Sequence, residues 1–189
     1  MIKVTAFNGS PRKDGNTSRA IGMVFAVLRE EGIETQEVRI GGNKVRGCLS
    51  CGQCRTKKLM RCAIEDDPVN DWIEAAKEAD GIILASPTYF GNVTVEMKAF
   101  IDRLGFSCGG LLRRKVGAPI TVARRGGAMQ TYNALMTFFG ITQMVVPCSS
   151  YWNVLFGLAP GDVERDEEGI GTMRSLGTNM AWLLKKLHS

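Results

Sequence analysis

Two patterns of apolar positions alternate along the chain, short apolar runs and segments with an apolar face of helical period. The first run, residues 2–7, precedes a segment whose apolar positions between Ala20 and Leu28 recur at helical spacing and end at Gly32. Runs that predict strands occupy residues 2–7, 33–40, 81–85, 116–123 and 143–147. Strands that alternate with helices in this way predict one parallel sheet covered by helices on both faces.

Helix signals fill the intervals between these runs. Asp67 and Pro68 open a helix with an N-cap and a proline at the first helical position, and that helix is expected to end near Ala79. Three further helices are predicted from apolar faces around Phe100, Leu135 and Met180. No repeat or composition break divides the chain, so we expect one α/β domain over residues 1–189.

The composition of the chain and its N-terminal sequence indicate the class of protein and its expected location. The chain is 44% hydrophobic and 23% charged, which is typical of a soluble globular domain. No apolar run approaches the roughly 20 residues that span a bilayer, and the N-terminus lacks the basic and apolar regions of a signal peptide. We therefore expect a cytoplasmic protein without a membrane association.

A loop rich in Gly, Ser, Asn and Thr, residues 8–18, joins the first strand to the first helix. Its spacing does not match the nucleotide-binding pattern G-x4-G-K-S/T, and the dinucleotide fingerprint G-x-G-x-x-G is absent from the chain. Ser10, Asn16, Thr17 and Ser18 instead supply donors beside a helix N-terminus, which favours one compact phosphate. The alternative is that Asn16 or Thr17 only caps the helix.

Four cysteines lie in a long segment without a regular period, residues 41–66, in the pattern C-x2-C-x2-C-x7-C. A C-x2-C-x2-C triplet is typical of [4Fe-4S] ligands, and the later fourth cysteine suits the same cluster. Zinc, or no bound group, remains an alternative. Cys108 and Cys148 lie in apolar surroundings and are expected to be buried thiols. The proposed cluster ligands are Cys48, Cys51, Cys54 and Cys62.

The basic excess of the chain has a local origin. Lys and Arg number 24 against 19 Asp and Glu, for a formal charge of +5. Five basic residues fall between Arg46 and Arg61, where no acidic residue occurs. A solvated loop or a nucleic-acid surface would both be basic, but the aromatic residues expected of a single-strand binder are missing. Nucleic acid is therefore not an expected partner. The positive charge of the segment would instead offset the negative charge of the thiolates.

Three segments in chain order resemble the flavodoxin-like NADPH-dependent FMN reductases, and in particular the iron-sulfur flavoproteins. They are Gly9-Ser10-Pro11-Arg12 with Asn16-Thr17-Ser18, then residues 86–92 (SPTYFGN), then Arg124-Arg125-Gly126-Gly127. The resemblance implies a doubly wound five-stranded sheet of order 2-1-3-4-5 and bound FMN. By that likeness the FMN phosphate is held by Ser10, Arg12, Asn16, Thr17 and Ser18, the ring and ribityl chain by Pro87, Thr88, Tyr89, Phe90, Gly91 and Asn92, and the far side by Arg124, Gly126 and Gly127.

These features together predict a flavin-dependent oxidoreductase in which FMN exchanges electrons with a [4Fe-4S] cluster. The only histidine, His188, is next to last, so a hydrolase with a catalytic histidine is not expected. The alternatives are an NAD(P)H-dependent FMN or quinone reductase without a cluster, and a flavin-binding regulatory protein. The expected partners are a redox protein or a small acceptor such as a quinone. The apolar segment 151–157 predicts a homodimer or homotetramer.

Overall fold

A five-stranded parallel sheet in the order β2-β1-β3-β4-β5 forms the centre of the computed structural model, which describes residues 1–189. This order confirms the flavodoxin-like arrangement expected from the sequence. The strands are β1 (Lys3–Asn8), β2 (Glu34–Arg39), β3 (Gly81–Pro87), β4 (Val116–Ala123) and β5 (Val154–Phe156). The helices are α1 (Asn16–Glu30), α2 (Gln53–Thr56), α3 (Val69–Glu78), α4 (Val95–Cys108), α5 (Ala128–Ile141) and α6 (Glu167–Leu187), with 3-10 turns at Gly109–Leu112 and Asp162–Arg165.

The sheet separates two apolar cores of equal size, each with 21 buried residues. One lies between the sheet and helices α1 and α6, and the other between the sheet and helices α3, α4 and α5. All eight residues of β4 are buried. A strand covered on both faces needs a continuous apolar run, which explains why the sequence predicted β4 with its correct bounds.

The fifth strand differs from the sequence prediction. Residues 143–147 form no strand, and Val145 makes only an isolated parallel bridge to Val116. The sheet edge is instead β5, where Val154 pairs with Thr121 and Leu155 with Val122. Because Leu155 is completely buried, part of the segment 151–157 belongs to the core rather than to the surface.

The loops expected to form a site lie at one edge of the sheet. The loops after β1, β3 and β4 leave the carboxyl ends of neighbouring parallel strands, which is where open α/β sheets bind ligands. The segment 41–66 leaves the carboxyl end of β2 and reaches α4, since the Gly42 N–H donates to Glu96 Oε1 at 2.9 Å. No helix has the length and apolar character needed to cross a membrane.

Candidate functional site

The loop after β1 presents free backbone donors at the start of α1. Gly15 occupies the N-cap position in an extended conformation, and no side chain caps the helix. The backbone N–H groups of Asn16, Thr17 and Ser18 donate to no protein acceptor. Because these groups carry the positive end of the helix dipole, they form a ready site for one anion.

The polar side chains of this loop have different roles. Ser10 Oγ accepts from the Arg12 N–H at 3.2 Å and so shapes the turn. The Asn16 amide donates to Ala159 O at 2.9 Å and accepts from the Gly161 N–H at 2.8 Å, which ties α1 to the segment after β5. Ser18 Oγ donates to the Glu37 carboxylate at 3.0 Å. Ser18 can therefore bind an anion through its backbone N–H but not through its side chain.

The loop after β3 closes in a tight turn. Tyr89 and Asn92 exchange backbone hydrogen bonds of 2.9 and 3.1 Å, and the two residues between them, Phe90 and Gly91, have φ of 49° and 73°. A left-handed conformation is uncommon at a bulky residue such as Phe90. In this turn the Phe90 side chain is completely exposed and extends away from the sheet edge. The Thr88 N–H donates to Val122 O at 2.7 Å and fixes this loop to β4.

The loop after β4 packs against the loop after β3. Gly127 has φ of 84°, and a Cβ on it would lie 3.1 Å from Gly91 Cα and 3.3 Å from Thr88 Cγ2. A side chain at this position would therefore push the two loops apart. Arg124 and Gly126 are exposed beside this contact.

A cavity of about 130 Å³ lies where these loops meet. Thr88 Oγ1 is buried there without a hydrogen-bond partner, as a group awaiting a ligand would be. Of the predicted residues, the cavity lining does not include Ser18, Phe90, Gly91, Asn92, Gly126 or Gly127. The lining comprises Ser10, Arg12, Asn16, Thr17, Pro87, Thr88, Tyr89, Val122, Arg124, Gly157 and Leu158.

Gly157 and Leu158 belong to this cavity although the sequence did not indicate them. They follow β5, and Leu158 O accepts from Arg12 Nη1 at 3.3 Å. A Cβ on Gly157 would lie 2.7 Å from Asn16 Nδ2, so only glycine permits this close approach. Because the fifth strand was predicted at residues 143–147, Gly157 and Leu158 were not expected at the carboxyl edge of the sheet.

The four cysteines of the segment 41–66 line a second cavity, of about 150 Å³. Ser50, with φ of 52°, and Gly52, with φ of 70°, turn the chain around this cavity, and Gly52 caps helix α2. The Ser50 N–H donates to Cys48 Sγ at 3.4 Å. No three His, Cys, Asp or Glu side chains are grouped closely enough to hold a metal ion. The four cysteines therefore line one cavity without being grouped around a single ion.

Buried polar residues hold this segment to helices α3 and α4. The Asn70 amide accepts from the Cys62 N–H at 2.9 Å and donates to Cys62 O and Ile64 O. Arg103 and Asp67 form an ion pair of 2.6 Å with side chains 0% and 4% exposed. Asp67 was expected to cap α3. The helix begins at Val69, although Asp67 Oδ1 does accept from the Val69 N–H at 3.2 Å.

The charges of this ion pair are stable despite their burial. Burial by itself raises the pKa of Asp67, but hydrogen bonds from Arg103 and from the N–H groups of Arg46 and Val69 bring it below its usual value. Burial likewise lowers the pKa of Arg103, while the bonds to Asp67 and Cys62 raise it above its usual value. Both side chains therefore stay ionised at neutral pH.

The remaining two cysteines differ from each other. Cys108 is buried as expected, its thiol donates to Met60 O at 2.9 Å, and burial raises its pKa. Cys148 is exposed, which corrects the expectation that it is buried. Residues 143–147 beside it were predicted to form the fifth strand, whereas Cys148 lies in an irregular segment before β5.

Residues 2–158 match the family NADPH-dependent FMN reductase. The chain belongs to this family. It is therefore a flavin-dependent oxidoreductase, and both the fold and the loop cavity at the sheet edge are consistent with FMN as its flavin.

Individual relatives are similar over almost the full length. An iron-sulfur flavoprotein of Methanocaldococcus jannaschii is 37% identical, with 97% of this chain and 98% of the relative covered. An iron-sulfur flavoprotein of Methanosarcina thermophila is 34% identical, over 97% and 96% of the two chains. The crystal structure of RosB shares the fold with a TM-score of 0.76 at 17% identity, covering 100% of this chain and 81% of that one.

Proposed function

We propose that the cavity at the sheet edge holds FMN with its phosphate on the loop after β1. The backbone N–H groups of Asn16, Thr17 and Ser18 are free to donate to phosphate oxygens, and Arg12 and Arg124 add positive charge to the lining. A monophosphate requires only such donors and a helix end. Ser10 and Thr17 are buried polar residues of the same lining.

The ring of FMN is assigned to the loops after β3 and β4. Pro87, Thr88 and Tyr89 line the same cavity, and the unpartnered Thr88 Oγ1 could donate to a ring or ribityl oxygen. The close packing of Gly127 on Gly91 holds the loops after β3 and β4 together, which supports the assignment of both loops to the ring. Phe90 and Asn92, expected at the ring and ribityl chain, and Gly126, expected on the far side, lie outside the cavity lining, so we assign them supporting positions.

We further propose that the second cavity holds a [4Fe-4S] cluster ligated by Cys48, Cys51, Cys54 and Cys62. The C-x2-C-x2-C spacing is that of [4Fe-4S] ligands, whereas structural zinc usually takes two separated C-x2-C pairs. Four cysteines around a cavity of about 150 Å³ suit a larger polynuclear group. The names of both relatives include an iron-sulfur group, which supports the same assignment.

The function that this arrangement supports best is electron transfer between the two sites. Bound FMN can accept two electrons and release them one at a time, which is the chemistry that makes a one-electron cluster a useful partner. Helix α4 contacts both regions, since Thr94 begins it beside the flavin loops and Arg103 and Phe106 line the cysteine cavity. The observation that carries this proposal is that all four cysteines line one cavity.

Turnover separates this function from its alternatives. Protein purified without oxygen should reduce a one-electron acceptor, and Cys51→Ala should lose most of that rate while it retains FMN. If NAD(P)H-to-quinone turnover accounts for all activity and Cys51→Ala changes nothing, the chain is a plain flavin reductase. Salt-sensitive DNA binding in the absence of either activity would instead favour a regulatory protein.

We also propose that the chain forms a homo-oligomer through an aromatic patch, defined as Tyr151, Trp152 and Phe156. These side chains are about half exposed, whereas Asn153 and Leu155 between them are buried, and exposed apolar groups of this kind mark interfaces. Light scattering at micromolar concentration should show a dimer or tetramer. Trp152→Glu should shift the assembly towards the monomer, and a wild-type monomer would contradict the proposal.

A further inference from the structure

Arg103 is a charged residue on the apolar face of α4. It follows Phe100 by one helical turn, and its side chain is completely buried. A buried arginine requires partners for its charge and its donors, because desolvation of an unpaired guanidinium is costly. The positions of those partners therefore indicate what the residue does.

The guanidinium joins both ends of the cysteine segment. Nη1 donates to Asp67 Oδ2 at 2.6 Å and to Arg46 O at 3.3 Å. Nη2 donates to Ile64 O at 3.0 Å. Arg46 precedes Cys48 by two residues, and Ile64 follows Cys62 by two, so one side chain fixes the chain on either side of the cavity.

The contact of Arg103 with the Cys62 sulfur is not needed to pair its charge with Asp67. Arg103 Nε donates to Cys62 Sγ at 3.2 Å, and Arg103 also lines the cysteine cavity. Hydrogen bonds to cluster sulfurs and local positive charge both favour the more negative, reduced state. An arginine can serve the carboxylate, the two carbonyls and the sulfur together because its donors form a planar fork.

We propose that Arg103 is a positioning residue for the cysteine cavity, which fixes Cys62 Sγ and raises the reduction potential of the iron-sulfur group held there. This inference rests on the proposed cluster function. It extends that function from the four ligands to a residue 41 positions after Cys62 in sequence.

The first test needs no cluster. Iodoacetamide labelling of the protein without iron, followed by peptide mass spectrometry, gives the rate at Cys62 with Cys148 as an exposed internal reference. Arg103→Lys keeps the positive charge beside the sulfur but loses the fork that holds Cys62 and the chain around it in place. Because the reagent then reaches a sulfur that is otherwise buried, Cys62 should label about tenfold faster or more, which corresponds to the loss of one charge-assisted hydrogen bond. Lys98→Gln, an exposed change on the same helix, should leave the rate at its wild-type value.

The second test measures the reduction potential of protein loaded with iron and sulfide without oxygen. The potential of the iron-sulfur group should become more negative in Arg103→Lys, while the flavin potential stays unchanged. The double variant Asp67→Asn with Arg103→Gln removes the charged donor without leaving an unpaired buried charge, and its potential should also fall. Lys98→Gln again serves as the control.

The two tests separate this inference from the proposed function. A wild-type protein without acid-labile sulfide would refute the cluster, and the labelling rate alone would then decide whether Arg103 positions Cys62. Equal Cys62 labelling in wild type and Arg103→Lys would overturn the inference. A loaded cluster whose potential is the same in all variants would also overturn it and leave the proposed function intact.

Discussion

The phosphate loop (residues 8–18) and the cysteine segment (41–66) are neighbours that are held in place by different means. The phosphate loop is short, with β1 before it and α1 after it. The cysteine segment contains one helical turn, α2, and depends on buried side chains of α3 and α4 for its position. The two regions touch at Gly41, where a Cβ would lie 2.3 Å from Gly9 O.

This difference shows how a fold can support two kinds of site. In the phosphate loop, regular structure positions the backbone donors, so a single side chain is expected to contribute less than one member of a buried ion pair. In the cysteine segment, a few buried polar residues take the place of regular structure, so each of them matters more. The predictions below test this contrast in order of decreasing effect.

The largest effect is expected from Asp67→Ala, which leaves the Arg103 charge buried without its partner. Removal of one member of a buried ion pair costs about 3–5 kcal/mol of unfolding free energy. Asp102→Ala breaks the largely exposed pair with Lys98 on the same helix and should cost less than about 1 kcal/mol. Urea unfolding at pH 7 measures both, and equal small losses would show that the ion pair does not anchor the segment.

An intermediate effect is expected in the phosphate loop from Thr17→Val. The change keeps the volume of a side chain that is 1% exposed and removes its hydroxyl from the cavity lining. Loss of a hydrogen bond to a charged phosphate is worth about 1.5–3 kcal/mol, so the Kd for FMN should rise by about 10-fold to 150-fold. Flavin fluorescence quenching gives the Kd.

Ser18→Ala is the matched control for Thr17→Val. Its hydroxyl donates to Glu37 and faces away from the cavity lining. The Kd for FMN should therefore stay within about twofold of wild type, since the backbone N–H remains. A large rise in this variant would mean that the Ser18 side chain turns towards the phosphate when flavin binds.

The smallest effect is expected at Thr94, which lies outside both regions but caps α4, a helix that borders each of them at Gly9 and Gly42. Its side chain caps the helix by accepting from the Met97 N–H at 3.4 Å. Thr94→Ala should cost about 1 kcal/mol of unfolding free energy, as loss of an N-cap usually does. Thermal unfolding of protein with and without FMN should show similar losses, and a loss confined to the flavin-bound form would place Thr94 in the flavin site itself.

The sequence was informative where local chemistry determines structure. The strand β4, the helix faces and the loops after β1, β3 and β4 could be predicted because periodicity and turn residues act over short distances. The segment after α5 could not, because both 143–147 and 154–156 are apolar. Both segments contact β4, but Val145 forms only an isolated bridge to Val116, whereas residues 154–156 pair continuously with residues 121–123.

Arg103 shows a second limit of sequence reasoning. Its position three residues after Phe100 places it on the buried face of α4, which was a usable signal. Its partner Asp67 was interpreted only as a helix cap, a role that local sequence suggests. Their pairing across 36 positions depends on how α4 packs against the cysteine segment, which the pattern of apolar residues does not specify.

The central claim is that four cysteines hold one cluster apart from the flavin site. The most direct measurement is the content of iron and acid-labile sulfide, with the visible spectrum, of wild type and Cys51→Ala prepared without oxygen. We predict about four iron and four sulfide per wild-type chain, and in Cys51→Ala the loss of the broad iron-sulfur absorbance with FMN retained in full. A wild-type protein with FMN but no acid-labile sulfide, under conditions that supply iron and sulfide, would contradict the claim.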